Sequence, residues 1–199
     1  MPRSKSPFEK TLGTLSELRQ THPDKRVWLC FQDEARFGLK PTYRRVWAPI
    51  GQRPTAPSRA RYEWSYVFAS VHPETGTTHA LILPVANTKA IQLYLDDFAV
   101  SLPVDVVTLL VLDGASWHRS PKLTVPDSLR LMFLPPYTPE LNPAEHLWPL
   151  LREVTTNLAF ADIDALETRL AERCVWLSQH PSKVSSSTSF RGYGPSTHA

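Results

Sequence analysis

Three acidic residues, each beside a backbone signal, have the types and spacing to do chemistry. Asp33 closes the apolar run 27–32 and Asp113 closes a second run, 106–112. Glu145 opens an expected helix, three residues after Asn142. Two carboxylates at strand ends and one in a helix's first turn can converge. Converging carboxylates suit hard divalent cations, which take oxygen ligands. Paired cations can drive in-line displacement at phosphorus. Each acid also has a plain structural role. Asp33 could end a strand, Asp113-Gly114 reads as a turn, and Glu145 could close a capping box with Asn142. Asp33 and Glu34 face opposite ways on a strand, so only one of them can enter a given site.

The elements that must position these acids follow from periodicity. In 26–32, Val27, Leu29 and Phe31 alternate as a strand. A short strand is expected at 43–47. The runs 62–71 and 77–84 flank the turn signal His72-Pro73-Glu74-Thr75-Gly76 and read as a hairpin. Thr88 is the expected cap of a helix carrying Ile91, Leu95 and Phe98 on one face. The apolar stretch 106–112 reads as a central strand covered on both faces. Another strand, 129–134, stops at Pro135-Pro136.

Asn142-Pro143 then opens a helix with Leu147, Leu150, Leu151, Val154 and Leu158 on its apolar side. Pro149 falls inside that helix, where it should kink the axis or cost ~3 kcal/mol and so disturb Glu145. Asp162 caps a last helix. Residues 1–25 form a polar extension with a short helix around 8–20. The catalytic unit spans 26–180, and a disordered tail follows from 181. The order implies a mixed sheet of three antiparallel strands and two parallel crossovers, with helices on both faces. If the first and fourth strands are neighbours, Asp33 and Asp113 lie side by side.

The 199 residues suffice for one domain. No apolar run approaches the ~18 residues of a membrane span. The N-terminus has no apolar signal region, and Cys30 and Cys174 sit in apolar segments as buried thiols. A cytoplasmic protein is expected. Net charge is only +3, but Arg36, Lys40, Arg44, Arg45, Arg53, Arg59 and Arg61 fall in one stretch without an acid. Interleaved with Tyr43, Trp47 and Tyr62, that stretch suits a nucleic acid, its backbone phosphates and its bases. The alternative is a solvated, proline-broken loop. Trp117 and Trp148 read as packing residues. The sequence has no G-x-S-x-G elbow, C-x-x-C pair, H-E-x-x-H, G-x-G-x-x-G or P-loop. A glycosidase pair of Asp113 and Glu145 would leave Asp33 and the basic stretch unexplained.

Three blocks together resemble the DDE transposases of insertion sequences, in the mariner superfamily. They are Phe31-Gln32-Asp33-Glu34-Ala35-Arg36-Phe37-Gly38, Leu112-Asp113-Gly114-Ala115-Ser116-Trp117-His118, and the run from Pro135-Pro136-Tyr137 to Glu145-His146-Leu147-Trp148. Thirty-one residues separate Asp113 from Glu145, close to that family's usual gap. The segment 45–52 is also similar to one found after the family's first Asp. The resemblance implies an RNase H-like fold. It implies that Asp33 bridges two Mg²⁺ or Mn²⁺ ions, with Asp113 and Glu145 each completing one side, for DNA strand cleavage and strand transfer. It places His118 and Asn142 beside the site, with His118 contacting a phosphate or moving a proton. The implied partners are transposon ends, target DNA and a second copy of the chain on that DNA. Thirty-two residues precede Asp33, where the family usually has helix-turn-helix domains. The chain therefore reads as a catalytic half that works with a separately encoded helix-turn-helix chain, or as an inactive remnant that still binds DNA or a partner.

Overall fold

The computed structural model describes residues 6–52, 54–55 and 61–189. Its strands are β1 (Arg26–Gly38), β2 (Trp64–His72), β3 (Thr77–Leu83), β4 (Val106–Leu112) and β5 (Leu129–Phe133). They form one sheet in the order β3-β2-β1-β4-β5. β1 and β2 pair antiparallel, as do β2 and β3, whereas β1–β4 and β4–β5 are parallel. The mixed five-stranded sheet is the one expected, with the first and fourth strands adjacent at its centre.

Every residue of β4 is buried, because helices cover both faces. Leu109 and Val111 face a core built with Leu147, Leu151, Leu166 and Leu170. Leu110 and Leu112 face a second core with Ile91, Tyr94, Leu95 and Phe98. The second core belongs to α2 (Thr88–Ser101), and the first to α3 (Leu147–Arg152) and α4 (Ile163–Gln179). Each fully buried Leu or Phe contributes about 1.5–3 kcal/mol, so this two-sided burial fixes the centre of the sheet firmly. α1 (Pro7–Thr21) starts at a Ser6–Glu9 capping box and puts Leu15 and Leu18 into the first core. Residues 7–21 are therefore docked on the sheet by their apolar face. Cys30 and Cys174 are free thiols.

Several expectations give way. β1 continues six residues past Gln32, because β2 supplies antiparallel partners from Phe31–Val71 to Gly38–Trp64. Asp33 is thus inside a strand, beyond the last parallel pair Phe31–Val111. Residues 43–47 form no strand: the segment meets no sheet edge, and Trp47 is fully exposed. Asn87, not Thr88, caps α2, its Oδ1 accepting from the N–H groups of Lys89 and Ala90 at 3.0 Å each. Residues 181–188 are a helix, α5 (Pro181–Thr188), with Val184 and Thr188 buried. The serine-rich composition that suggested a disordered tail conceals one apolar anchor, Val184, a turn before the buried Thr188. Residues 190–199 lie outside the described residues.

The helix after Asn142 also differs. Pro143–His146 is a 3₁₀ turn, and α3 begins afresh at Leu147 and ends at Arg152. Pro149 is the third residue of α3, where a helix has no internal acceptor for the N–H that proline lacks. The expected kink at Glu145 is absent because the break falls before the proline. Leu158 lies outside any helix and is exposed.

Candidate active site

Asp33 takes its direction from the pleat of β1. It shares a face with Phe31, Ala35 and Phe37, on the side of the core that holds Trp148. There Oδ2 accepts the indole N–H of Trp148 at 2.7 Å. Trp148 is 3% exposed, so it is the packing residue expected and a hydrogen-bond donor as well. Burial drives the Asp33 carboxyl from 3.8 up to about 7; the Trp148 bond opposes this, and the charges of Glu145 and Glu34 add to it. A carboxylate held among like charges favours a cation or a proton.

Asp113 lies just past β4. Its Oδ1 accepts the backbone N–H of Ala115 at 3.0 Å and bonds to His118 Nδ1 at 2.7 Å. The other ring nitrogen, Nε2, lies 2.6 Å from Glu34 Oε1. The His118 side chain is fully buried and that of Glu34 nearly so, at 8% exposure. Burial alone would pull His118 down; its bonds to Asp113 and Glu34 prevail and push it up to about 9. The same His118 bond holds Asp113 below its ordinary value. Asp33 and Glu34 thus face opposite ways, as expected, and each has a defined task.

Glu145 sits in the 3₁₀ turn Pro143–His146. The capping box with Asn142 does not form, because the Asn142 N–H donates to the carbonyl of Pro139 at 2.9 Å. Asn142 instead braces the turn. Its Oδ1 accepts from the Ala144 N–H at 3.2 Å, and its Nδ2 donates to the Gln32 carbonyl at 3.0 Å. That buried bond ties the Glu145 turn to the residue preceding Asp33.

Asp33, Asp113, Glu145 and Asn142 line one cavity of about 480 Å³. Among the described residues, no three His, Cys, Asp or Glu side chains stand close enough to form a ready-made metal cage. The donor chemistry nevertheless fits a hard cation. Asp33 Oδ2 is engaged by Trp148 and Asp113 Oδ1 by Ala115 and His118, and oxygen-only ligation by carboxylates suits Mg²⁺ or Mn²⁺.

Three residues at the site were not anticipated there. Glu34 acts through His118, by a bond that spans 84 positions of sequence and has no local signature. Arg119 lines the cavity, where a Cβ on Gly114 would come within 2.9 Å of its guanidinium. Tyr137, on the cavity wall, has φ of 59° and is almost fully exposed; Pro135-Pro136-Tyr137-Thr138-Pro139 was a visible signal for such a bend. Of the basic residues, Arg36, Lys40, Arg44, Arg45 and Arg61 are exposed. Arg53 and Arg59 lie outside the described residues. None of the seven lines this cavity among the described residues.

A mixed sheet with this strand order and three acids on one cavity defines a nuclease-like class. Residues 28–167 match the DDE superfamily endonuclease family, and the chain belongs to that family. An uncharacterized protein of Sinorhizobium fredii is 40% identical over 124 residues, which are 62% of this chain and 92% of that protein. In fold, the chain is similar to the Mos1 mariner transposase in its paired-end complex with Mn, with a TM-score of 0.58 and 15% identity over 94% of this chain and 62% of that one. It is also similar to the Mos1 strand transfer complex, with a TM-score of 0.54 and 13% identity over 91% of this chain and 58% of that one. The chain thus spans about three fifths of those transposase chains. The fold is the RNase H-like one. Among the described residues, no helix is long and apolar enough to cross a membrane.

Proposed function

We propose that this chain is the catalytic domain of a transposase that cuts DNA strands and joins the freed ends to a target. The observation carrying the reading is that Asp33, Asp113 and Glu145, far apart in sequence, line the same cavity. Asp33, Asp113 and Glu145 are the residues that would hold Mg²⁺ or Mn²⁺, as two ions. When bound, such ions supply Lewis-acid activation of a nucleophile and stabilise the leaving oxygen.

The chain's own residues prepare that chemistry. His118 and the Ala115 N–H fix one oxygen of Asp113, and Trp148 fixes one oxygen of Asp33. Each carboxylate is thereby oriented, which is the usual work of groups behind metal ligands. Asn142 sets the Glu145 turn against β1. Arg119 offers a guanidinium to a phosphate entering the cavity. The partners in this reading are transposon ends, target DNA and a second copy of the chain. The place of action is the cytoplasm.

Purified protein with supercoiled plasmid and Mn²⁺ tests the reading. Nicking that disappears in Asp113→Ala and in Glu145→Ala is expected. Plasmid binding with no metal-dependent nicking would mean a DNA-binding remnant of a transposase instead.

A further inference from the structure

A second cavity, of about 280 Å³, lies between the far end of β1 and the turn after α3. We propose that it seats a backbone phosphate of the DNA strand, apart from the phosphate undergoing reaction. The proposal rests on the DNA-cleaving reading for the source of the anion, and on the cavity itself for the site.

Three arginines are among the residues lining the cavity: Arg36, Arg44 and Arg152. Thr42 and Thr155 add hydroxyl groups, and no acidic residue lines it among the described residues. Two acids next in sequence to lining residues are engaged elsewhere: Glu153 pairs with Arg173 at 2.5 Å, and Glu167 accepts the hydroxyl of Ser65. None of the three arginines forms an ion pair with a described residue. Three like charges around one concavity repel one another and raise the local concentration of anions. A guanidinium offers paired N–H groups that match the oxygens of a phosphate.

The cavity is also built rather than incidental. Arg36 lies over the Trp64 ring at 5.3 Å and Arg152 over the Phe37 ring at 5.9 Å. Aromatic faces support both guanidiniums without consuming their N–H groups. The wall is a clamp made by Asn157, whose φ is 61°. Its Oδ1 accepts the Arg44 N–H at 2.9 Å, its Nδ2 donates to the Arg44 carbonyl at 3.2 Å, and its own N–H donates to the Thr42 carbonyl at 2.9 Å. Asn tolerates the left-handed backbone that this clamp requires.

The test is duplex DNA binding by fluorescence anisotropy over a range of salt, with EDTA present so that metal plays no part. Arg36→Gln/Arg152→Gln should bind about tenfold more weakly, with a salt slope smaller by about 1, the share of one phosphate. Arg19→Gln/Lys25→Gln removes equal charge elsewhere and should match wild type. Because Arg152 packs on Phe37, Arg44→Gln serves as a second variant in which only an exposed side chain changes. Ethylation interference should show one phosphate whose modification weakens wild type but not the variants. Equal affinities and slopes for wild type and both cavity variants would overturn the seat and leave the nicking result standing. Tight inorganic phosphate binding by calorimetry, abolished by the substitutions while DNA binding is unchanged, would also overturn it, as a free-anion site. Wild-type protein that binds no duplex would sink both this proposal and the functional reading.

Discussion

Trp148 donates its indole N–H to Asp33 Oδ2 at 2.7 Å, across 115 positions of sequence. The bond joins the first residue pair of α3 to the middle of β1, and it lets a core aromatic set the direction of a carboxylate that lines the candidate site. Trp148→Phe keeps most of the ring packing and deletes the donor. Asp33 should then titrate above its present value of about 7, because the bond favours its charged form. A hydrogen bond to a charged group contributes roughly 1.5–3 kcal/mol. In metal-free protein the Asp33 carboxyl should therefore titrate about 1–2 pH units higher in the variant, followed by NMR. An unmoved titration would mean that the indole is only packing.

Asp33 also predicts how metal-free protein responds to pH. Its carboxyl rises on folding from 3.8 to about 7, chiefly by burial. A raised carboxyl binds its proton more tightly in the folded chain, so ionising it opposes folding. Stability should fall as pH rises through that window, by up to about 4 kcal/mol, and then level off. Asp33→Asn should flatten the decline, melt higher than wild type at pH 8, and abolish nicking. Mn²⁺ should raise the melting temperature of wild type at pH 8 more than that of Asp33→Asn. Thermal melts over pH 4–9 with and without Mn²⁺ check both. A large loss of stability in metal-free Asp33→Asn would contradict a crowded acidic site.

His118 stands between two carboxylates, and Glu34 is the buried one. On sequence grounds Glu34→Gln should be mild, since its side chain points away from Asp33. The structure changes the expectation: the substitution removes one charged partner of a buried imidazolium. His118 is raised on folding from 6.5 to about 9, so its contribution is fully present below 6.5 and is lost as pH rises through about 9. Glu34→Gln should bring that loss to lower pH and cost about 1–3 kcal/mol at pH 7. Nicking should fall roughly 10–100-fold, as for groups that orient a metal ligand, without vanishing as in Asp33→Asn. Wild-type activity and melting in Glu34→Gln would mean that the bridge to Asp113 does not matter.

Pro149 gives a prediction of near silence. It occupies the first turn of α3, where the missing N–H has no partner to lose. Pro149→Ala should shift stability by less than about 1 kcal/mol, since proline is tolerated at helix starts. Nicking should stay within about twofold of wild type (~0.4 kcal/mol on the barrier). Denaturant unfolding and a nicking assay decide this. Several-fold activation on substitution would show that the proline does displace Glu145.

By itself the sequence determined the order of the five sheet strands, because alternation is a local property of neighbouring residues, but it also suggested a strand at 43–47 and hid α5. It singled out the three acids as candidates, since each stands beside an apolar run or an Asn-Pro start. Tertiary structure decided what those acids touch. β1 outlasts its local pattern because β2 offers a backbone partner. The proline-bearing helix splits because the Glu145 turn is braced against Gln32. Val184 becomes an anchor only where a core is present to receive it. Trp148, Glu34 and Arg152 acquired their tasks the same way. Each acts on a group remote in the chain, and a contact that closes a long loop leaves no periodic trace in the residues that make it.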